Sequence, residues 1–167
     1  MSRLDHMADK FEEYVIFIAL SIMSLAILAQ IINRSFLGRP FPYGEEIARY
    51  MMVWATMMGT SAGVKTGAHI GVDVLVRALP RKAGLLWMFL INVVALAFYV
   101  FVGYLSTKIV YSIQGTGQIS PALQMPMWLA YLALPVGFAL CVFRQIQLIL
   151  TKLRECRERD TEEKRDA

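Results

Sequence analysis

Two cysteines and two histidines are all that 167 residues hold of thiol and imidazole ligands. Cys141 lies in an apolar run and Cys156 in a charged tail, so they build no disulfide framework. A structural or catalytic metal needs three or four ligands. His69 and Asp73 stand at i, i+4, but the other histidine, His6, sits far away in the amino-terminal arm. A solvated or headgroup-facing polar stripe is the plainer reading of that pair. The sequence also lacks a phosphate loop, a nucleophile elbow and any metal-site spacing, which speaks against an enzyme. No cofactor is expected.

Within the expected spans there is no pair of carboxylates and no proton relay, and repeated halves are missing as well. A stand-alone secondary transporter places ionisable or unwound elements at the bilayer midplane. This chain reads instead as part of something. Its net charge of +4 is no nucleic-acid signature, because the basic residues cluster at the ends of apolar runs rather than on one surface.

What the chain has in quantity is uncharged length. It is 57% hydrophobic. Tyr14 to Ile32 gives nineteen residues without a charge, Tyr50 to Val64 fifteen, and Ala83 to Thr107 twenty-five. At 1.5 Å per residue, about 20 such residues cross a hydrocarbon core of about 30 Å. The first run is longer than a secretory signal's apolar region and ends in Asn33-Arg34, so it reads as an uncleaved span. The expectation is an all-α integral membrane protein of one domain. Its four transmembrane helices fall at about 14–33, 46–66, 84–107 and 126–149, followed by a charged tail over 151–167. Pro126 suits the first turn of the last helix, and Pro135 predicts a kink inside it.

Between the second and third spans the pattern changes. Gly59, Gly63, Gly67 and Gly71 recur at steps of four, a row that admits a close helix neighbour. Lys65, His69, Asp73 and Arg77 recur likewise, offset by about 200°. Val72, Leu75, Val76 and Leu79 supply an apolar side before Pro80. The segment 68–79 therefore reads as an amphipathic interfacial helix. Thirteen of the seventeen Lys and Arg residues lie in the amino-terminal arm, the 65–82 segment and the tail from Arg144. The positive-inside rule then places both termini in the cytoplasm. Arg144 itself, close to that end, reads as a snorkelling side chain.

Glu45, Glu46 and Arg49 open the second span. Two readings stand: a partner-docking patch, or acids at the helix N-terminus paired with a base one turn on. The glycine row, Gly59, Gly63 and Gly67 above all, serves packing within the chain or against a partner.

These residues resemble a family. Glu45-Glu46-x-x-Arg49, Trp54, Gly59 and the run Lys65-Thr66-Gly67-Ala68-His69-Ile70-Gly71-Val72-Asp73, then Leu79-Pro80, are similar to the small (Q) membrane subunit of tripartite ATP-independent periplasmic (TRAP) transporters. Ser120-Pro121, Pro126-x-Trp128 and Leu134-Pro135 ahead of Arg144 extend the likeness over nearly the whole chain. The resemblance implies a stator-like partner of a large membrane subunit that carries substrate and sodium and moves like an elevator. It also implies a periplasmic substrate-binding protein delivering an organic acid, with sodium bound in the partner rather than here. The charged tail fits the form in which the two membrane subunits are separate chains. The competing reading is a membrane anchor of a redox complex, which needs ligands facing the bundle interior. Methionines such as Met51, Met52, Met57 and Met58 are available, but no histidine lies in an expected span.

Overall fold

The structure, a computed structural model, describes residues 3–38, 41–65 and 81–163. Helix α1 runs Arg3–Leu37 with neither proline nor glycine inside it. It stops at Gly38, whose φ of 61° is the left-handed conformation that glycine adopts without strain. Helix α2, Pro42–Lys65, opens on a proline, whose missing N–H is one the first turn leaves unpaired anyway. Helix α3, Arg81–Thr116, continues nine residues past Thr107 and ends at Gly117, φ 62°. After a tight loop come the single turn α4, Trp128–Tyr131, and the long helix α5, Ala133–Glu163.

The last apolar run is thus two helices, not one kinked helix. Pro135 has no N–H to offer Tyr131, and its ring crowds that carbonyl. The chain breaks at Leu132, so Pro135 falls in the first turn of α5, where the missing donor costs nothing.

The long helices form a row in the order α1, α2, α5, α3. Among the described residues α3 touches neither α1 nor α2. The two central helices, α2 and α5, run parallel, and each outer helix runs antiparallel to its neighbour. The start of α1 and the end of α5 therefore lie at one end of the row. A Cβ on Gly137 of α5 would lie 2.7 Å from Met57 Cβ, so α2 and α5 meet where one lacks a side chain. Gly44 does the same for α1, since its Cβ would stand 2.9 Å from the Ala26 carbonyl oxygen.

Among the described residues, three stretches are long and apolar enough to cross a membrane: Asp9–Phe36, Leu86–Thr116 and Trp128–Leu153. Helix α2 is less apolar, being diluted by Thr56, Gly59, Thr60, Ser61 and Gly63. The hydroxyls of Thr56 and Thr60 donate back to the carbonyls of Met52 and Thr56 at 2.7 and 2.8 Å, so they ask nothing of their surroundings. The expected interfacial helix over 68–79 lies outside the described residues.

Candidate functional site

The buried polar chemistry gathers at two levels. At the end of the row nearest the termini, Arg144 of α5 is fully buried. Its Nη2 donates to Asp9 Oδ1 at 2.6 Å and to Glu12 Oε2 at 3.0 Å, and its Nε reaches Glu12 Oε1 at 3.3 Å. Ser61 of α2 donates its hydroxyl to Glu12 Oε1 at 2.7 Å, and Lys65 pairs with the other oxygen of Asp9. Two acids from α1, two bases and a hydroxyl thus tie α1, α2 and α5 together with no net charge. The expectation that Arg144 snorkels was wrong. Asp9 and Glu12 lie one turn apart on the face of α1 turned toward it, so a partner reaches the guanidinium before water does.

The next residue completes the row. Gln145 Nε2 donates to Asn92 Oδ1 at 2.9 Å and to the Asn92 carbonyl at 3.1 Å, joining α5 to α3. Asn92 Nδ2 in turn donates to the Met88 carbonyl at 2.7 Å. Consecutive residues of α5 therefore hold its neighbours on opposite sides.

The second level is the far end. Glu46 is buried rather than displayed. Its Oε2 accepts the backbone N–H groups of Ala122 and Leu123 at 3.0 and 2.8 Å, and its Oε1 accepts the Tyr50 hydroxyl. Two chain crossings close the loop above it, Ser120 N to Met125 O at 2.8 Å and Met127 N to Gln118 O at 3.0 Å. Gln124 is held at a positive φ of 54°. Glu46 is thus not a member of an exposed docking patch. Its carboxylate is consumed in pinning the 117–127 loop to α2. Glu45 and Arg49 remain exposed and pair with each other at 2.8 Å. They line a cavity of about 560 Å³ between α2, the pinned loop and the α4–α5 corner.

The other expected site residues divide. Cβ atoms built on Gly59 and Gly63 would meet nothing within 4 Å among the described residues, so none of the described helices packs closely on a Cβ at either position. Gly67, His69, Asp73 and Arg77 lie outside the described residues. Among the described residues no three His, Cys, Asp or Glu side chains gather as metal ligands.

The sequence profile described as "Tripartite ATP-independent periplasmic transporters, DctQ component" matches residues 23–155. The chain belongs to this family. It is 32% identical over 106 residues to the C4-dicarboxylate TRAP transporter small permease protein of Rhodobacter capsulatus, covering 64% of this chain and 47% of that one. With the ectoine TRAP transporter small permease protein of Halomonas elongata it shares 25% over 160 residues, 96% of this chain and 81% of the relative. A third relative, the isethionate TRAP transporter permease protein of Oleidesulfovibrio alaskensis, is 31% identical over 118 residues, 70% of this chain but only 18% of its own length. The chain is therefore a TRAP small permease subunit and a membrane protein. Nothing in the DctQ family or these relatives supports the redox-anchor reading.

Asp9 and Glu12 were the functional residues that sequence reasoning missed. The signal was present: two carboxylates one turn apart at the mouth of an apolar run, and one arginine inside another.

Proposed function

We propose that this subunit is a non-catalytic scaffold in the bacterial inner membrane. In this reading it holds a large sodium-coupled permease steady while that partner carries an organic acid. Its single membrane domain has four spans, α2 being the fourth, with a cytoplasmic interfacial helix over 68–79 and both termini in the cytoplasm. One observation carries the reading. Each ion buried among the described helices is paired within the chain: Arg144 with Asp9 and Glu12, only its Nη1 being left without a hydrogen bond among the described residues, and Glu46 with two backbone amides and Tyr50. Such a subunit has rigidity to offer, and among its described residues no unpaired charged side chain within the expected spans to offer a solute. The relative named for isethionate, of which the matched stretch is only 18%, supports a larger permease as the working neighbour. Relatives named for a C4-dicarboxylate, isethionate and ectoine support small polar organic solutes as the cargo class.

Docking of a periplasmic binding protein belongs at the far end. The pinned loop presents Ile119 and Met125 there, 62% and 45% exposed, on a backbone that needs no ordering when a partner arrives. The test is reconstitution of this chain with a large permease and binding protein in vesicles under a sodium gradient. Uptake of an organic acid should require this chain, and Ile119→Glu with Met125→Glu should slow uptake while the membrane pair still co-purifies. Sodium-driven uptake by the large permease alone would overturn the scaffold role. Unchanged uptake in the double variant would overturn only the docking surface.

A further inference from the structure

The cavity beside Glu45 and Arg49 has a polarity order of its own. Glu45, Arg49 and Val53 follow at steps of four along α2, so a carboxylate, a guanidinium and an isopropyl group stack on one stripe at about 6 Å intervals. The carboxylate lies nearest the outer end of the helix. Deeper in, Val53 is joined by Ala130 and Leu134 from the opposite wall, and Tyr131 stands at the same corner. An amphipathic molecule entering this space meets a negative charge first, a positive charge second and hydrocarbon third.

We propose that this cavity binds one glycerophospholipid whose head group carries an amine beyond its phosphate. Its ammonium, phosphate and acyl chain occur in the order in which the wall changes from carboxylate to guanidinium to aliphatic. Arg49 offers the phosphate the forked donor geometry that suits it, and Glu45 takes the ammonium. The two side chains pair with each other at 2.8 Å but are mostly solvent-exposed, and exposed pairs of this kind are weak enough to be exchanged for a ligand's charges. The space, about 560 Å³, lies within the roughly 300–1,000 Å³ of ordinary small-molecule pockets. An anionic lipid with no amine would satisfy Arg49 but bring its net charge against Glu45. The carboxylate therefore sets head-group selectivity, while the apolar floor supplies retention. The proposal rests on α2 lying across the membrane, with its first turns at head-group depth.

Native mass spectrometry of the full-length chain in detergent tests it, after exposure to equimolar phosphatidylethanolamine and phosphatidylglycerol. The wild-type chain should retain one phosphatidylethanolamine with several-fold preference. Glu45→Gln should erase the preference, and Arg49→Gln should lower retention of both lipids several-fold. Ala130→Trp, which fills the cavity, should remove the retained lipid while helical circular dichroism stays unchanged. Val53→Trp serves the same purpose if Ala130→Trp does not fold. Equal retention of the two lipids by wild type overturns the head-group assignment. Undiminished retention in a folded cavity-filling variant overturns the site. Failure of α2 to cross the membrane would show separately, in the accessibility of its first turn to labelling.

Discussion

Arg144 shows how much one side chain decides. An ion taken out of water costs several kcal/mol unless partners and hydrogen bonds replace its hydration, and here Glu12 and Asp9 do so from positions 132 and 135 residues earlier in the chain. Removing one partner is worse than removing both. Arg144→Leu leaves Glu12 buried and uncompensated, and the expected loss is about 3–5 kcal/mol. The double variant Arg144→Leu/Glu12→Leu should recover part of that, because no buried charge is left orphaned and the cycle reports a coupling. Thermal midpoints in detergent for the wild type, the two single variants and the double variant measure this. Additive losses would mean that the pair does not act as a unit. Glu46 sets a different expectation. Glu46→Ala strands the Ala122 and Leu123 amides, each an unmet donor worth about 1–3 kcal/mol. Hydrogen exchange over residues 117–127 should accelerate at least tenfold while α3 and α5 keep their protection. Unchanged exchange in the loop would mean that its own crossings suffice without Glu46.

Between elements, glycine matters by position rather than by pattern. The periodic row stands out in sequence, yet among the described residues the glycines with the closest neighbours are Gly44 and Gly137, which belong to no repeat. Gly137→Leu must displace Met57 and part α2 from α5, and overpacking of this sort costs about 1–3 kcal/mol. Gly59→Leu meets open space among the described residues, so the isolated subunit should melt nearly unchanged, while recovery of a complex with the large permease should fall if that face receives a partner helix. A lowered midpoint for the isolated Gly59→Leu chain would place the row inside the subunit after all. The contrast also shows what was legible beforehand. Helices could be read from uncharged length, because a backbone in hydrocarbon must satisfy its own hydrogen bonds. Helix neighbours could not. An arginine near the end of an apolar run looks the same whether it snorkels or meets an acid, and the one-turn spacing of Asp9 and Glu12 does not say which helix they face. Glu46 likewise reads as an N-terminal charge until the loop that wraps it, 76 residues later, is in place.

At the scale of the molecule, the row α1, α2, α5, α3 leaves the outer helices uncovered on most sides. Phe17, Leu25 and Ile31 on α1 and Leu86, Phe101 and Tyr104 on α3 are more than half exposed. In water such surface would drive aggregation, and in a bilayer lipid or another helix covers it. The row also fixes which landmarks lie together: the Arg144 clamp, where the first turns of α1 meet the end of α2, and the Glu46-pinned loop at the opposite end. If the row crosses the membrane, those two ends face different compartments. Thirteen of seventeen Lys and Arg residues fall, in sequence, in the amino-terminal arm, the 65–82 segment and the tail from Arg144, so the positive-inside rule predicts a cytoplasmic clamp end. Single cysteines test this after Cys141→Ala and Cys156→Ser. Gln118→Cys, in the pinned loop, should react in intact cells with a membrane-impermeant maleimide, and Asp160→Cys should react only once the membrane is opened. The reverse pattern would invert the orientation and move the docking loop to the cytoplasm. Labelling of both sites in sealed cells would mean that the row does not separate its two ends across a bilayer, and the scaffold reading would fall with it.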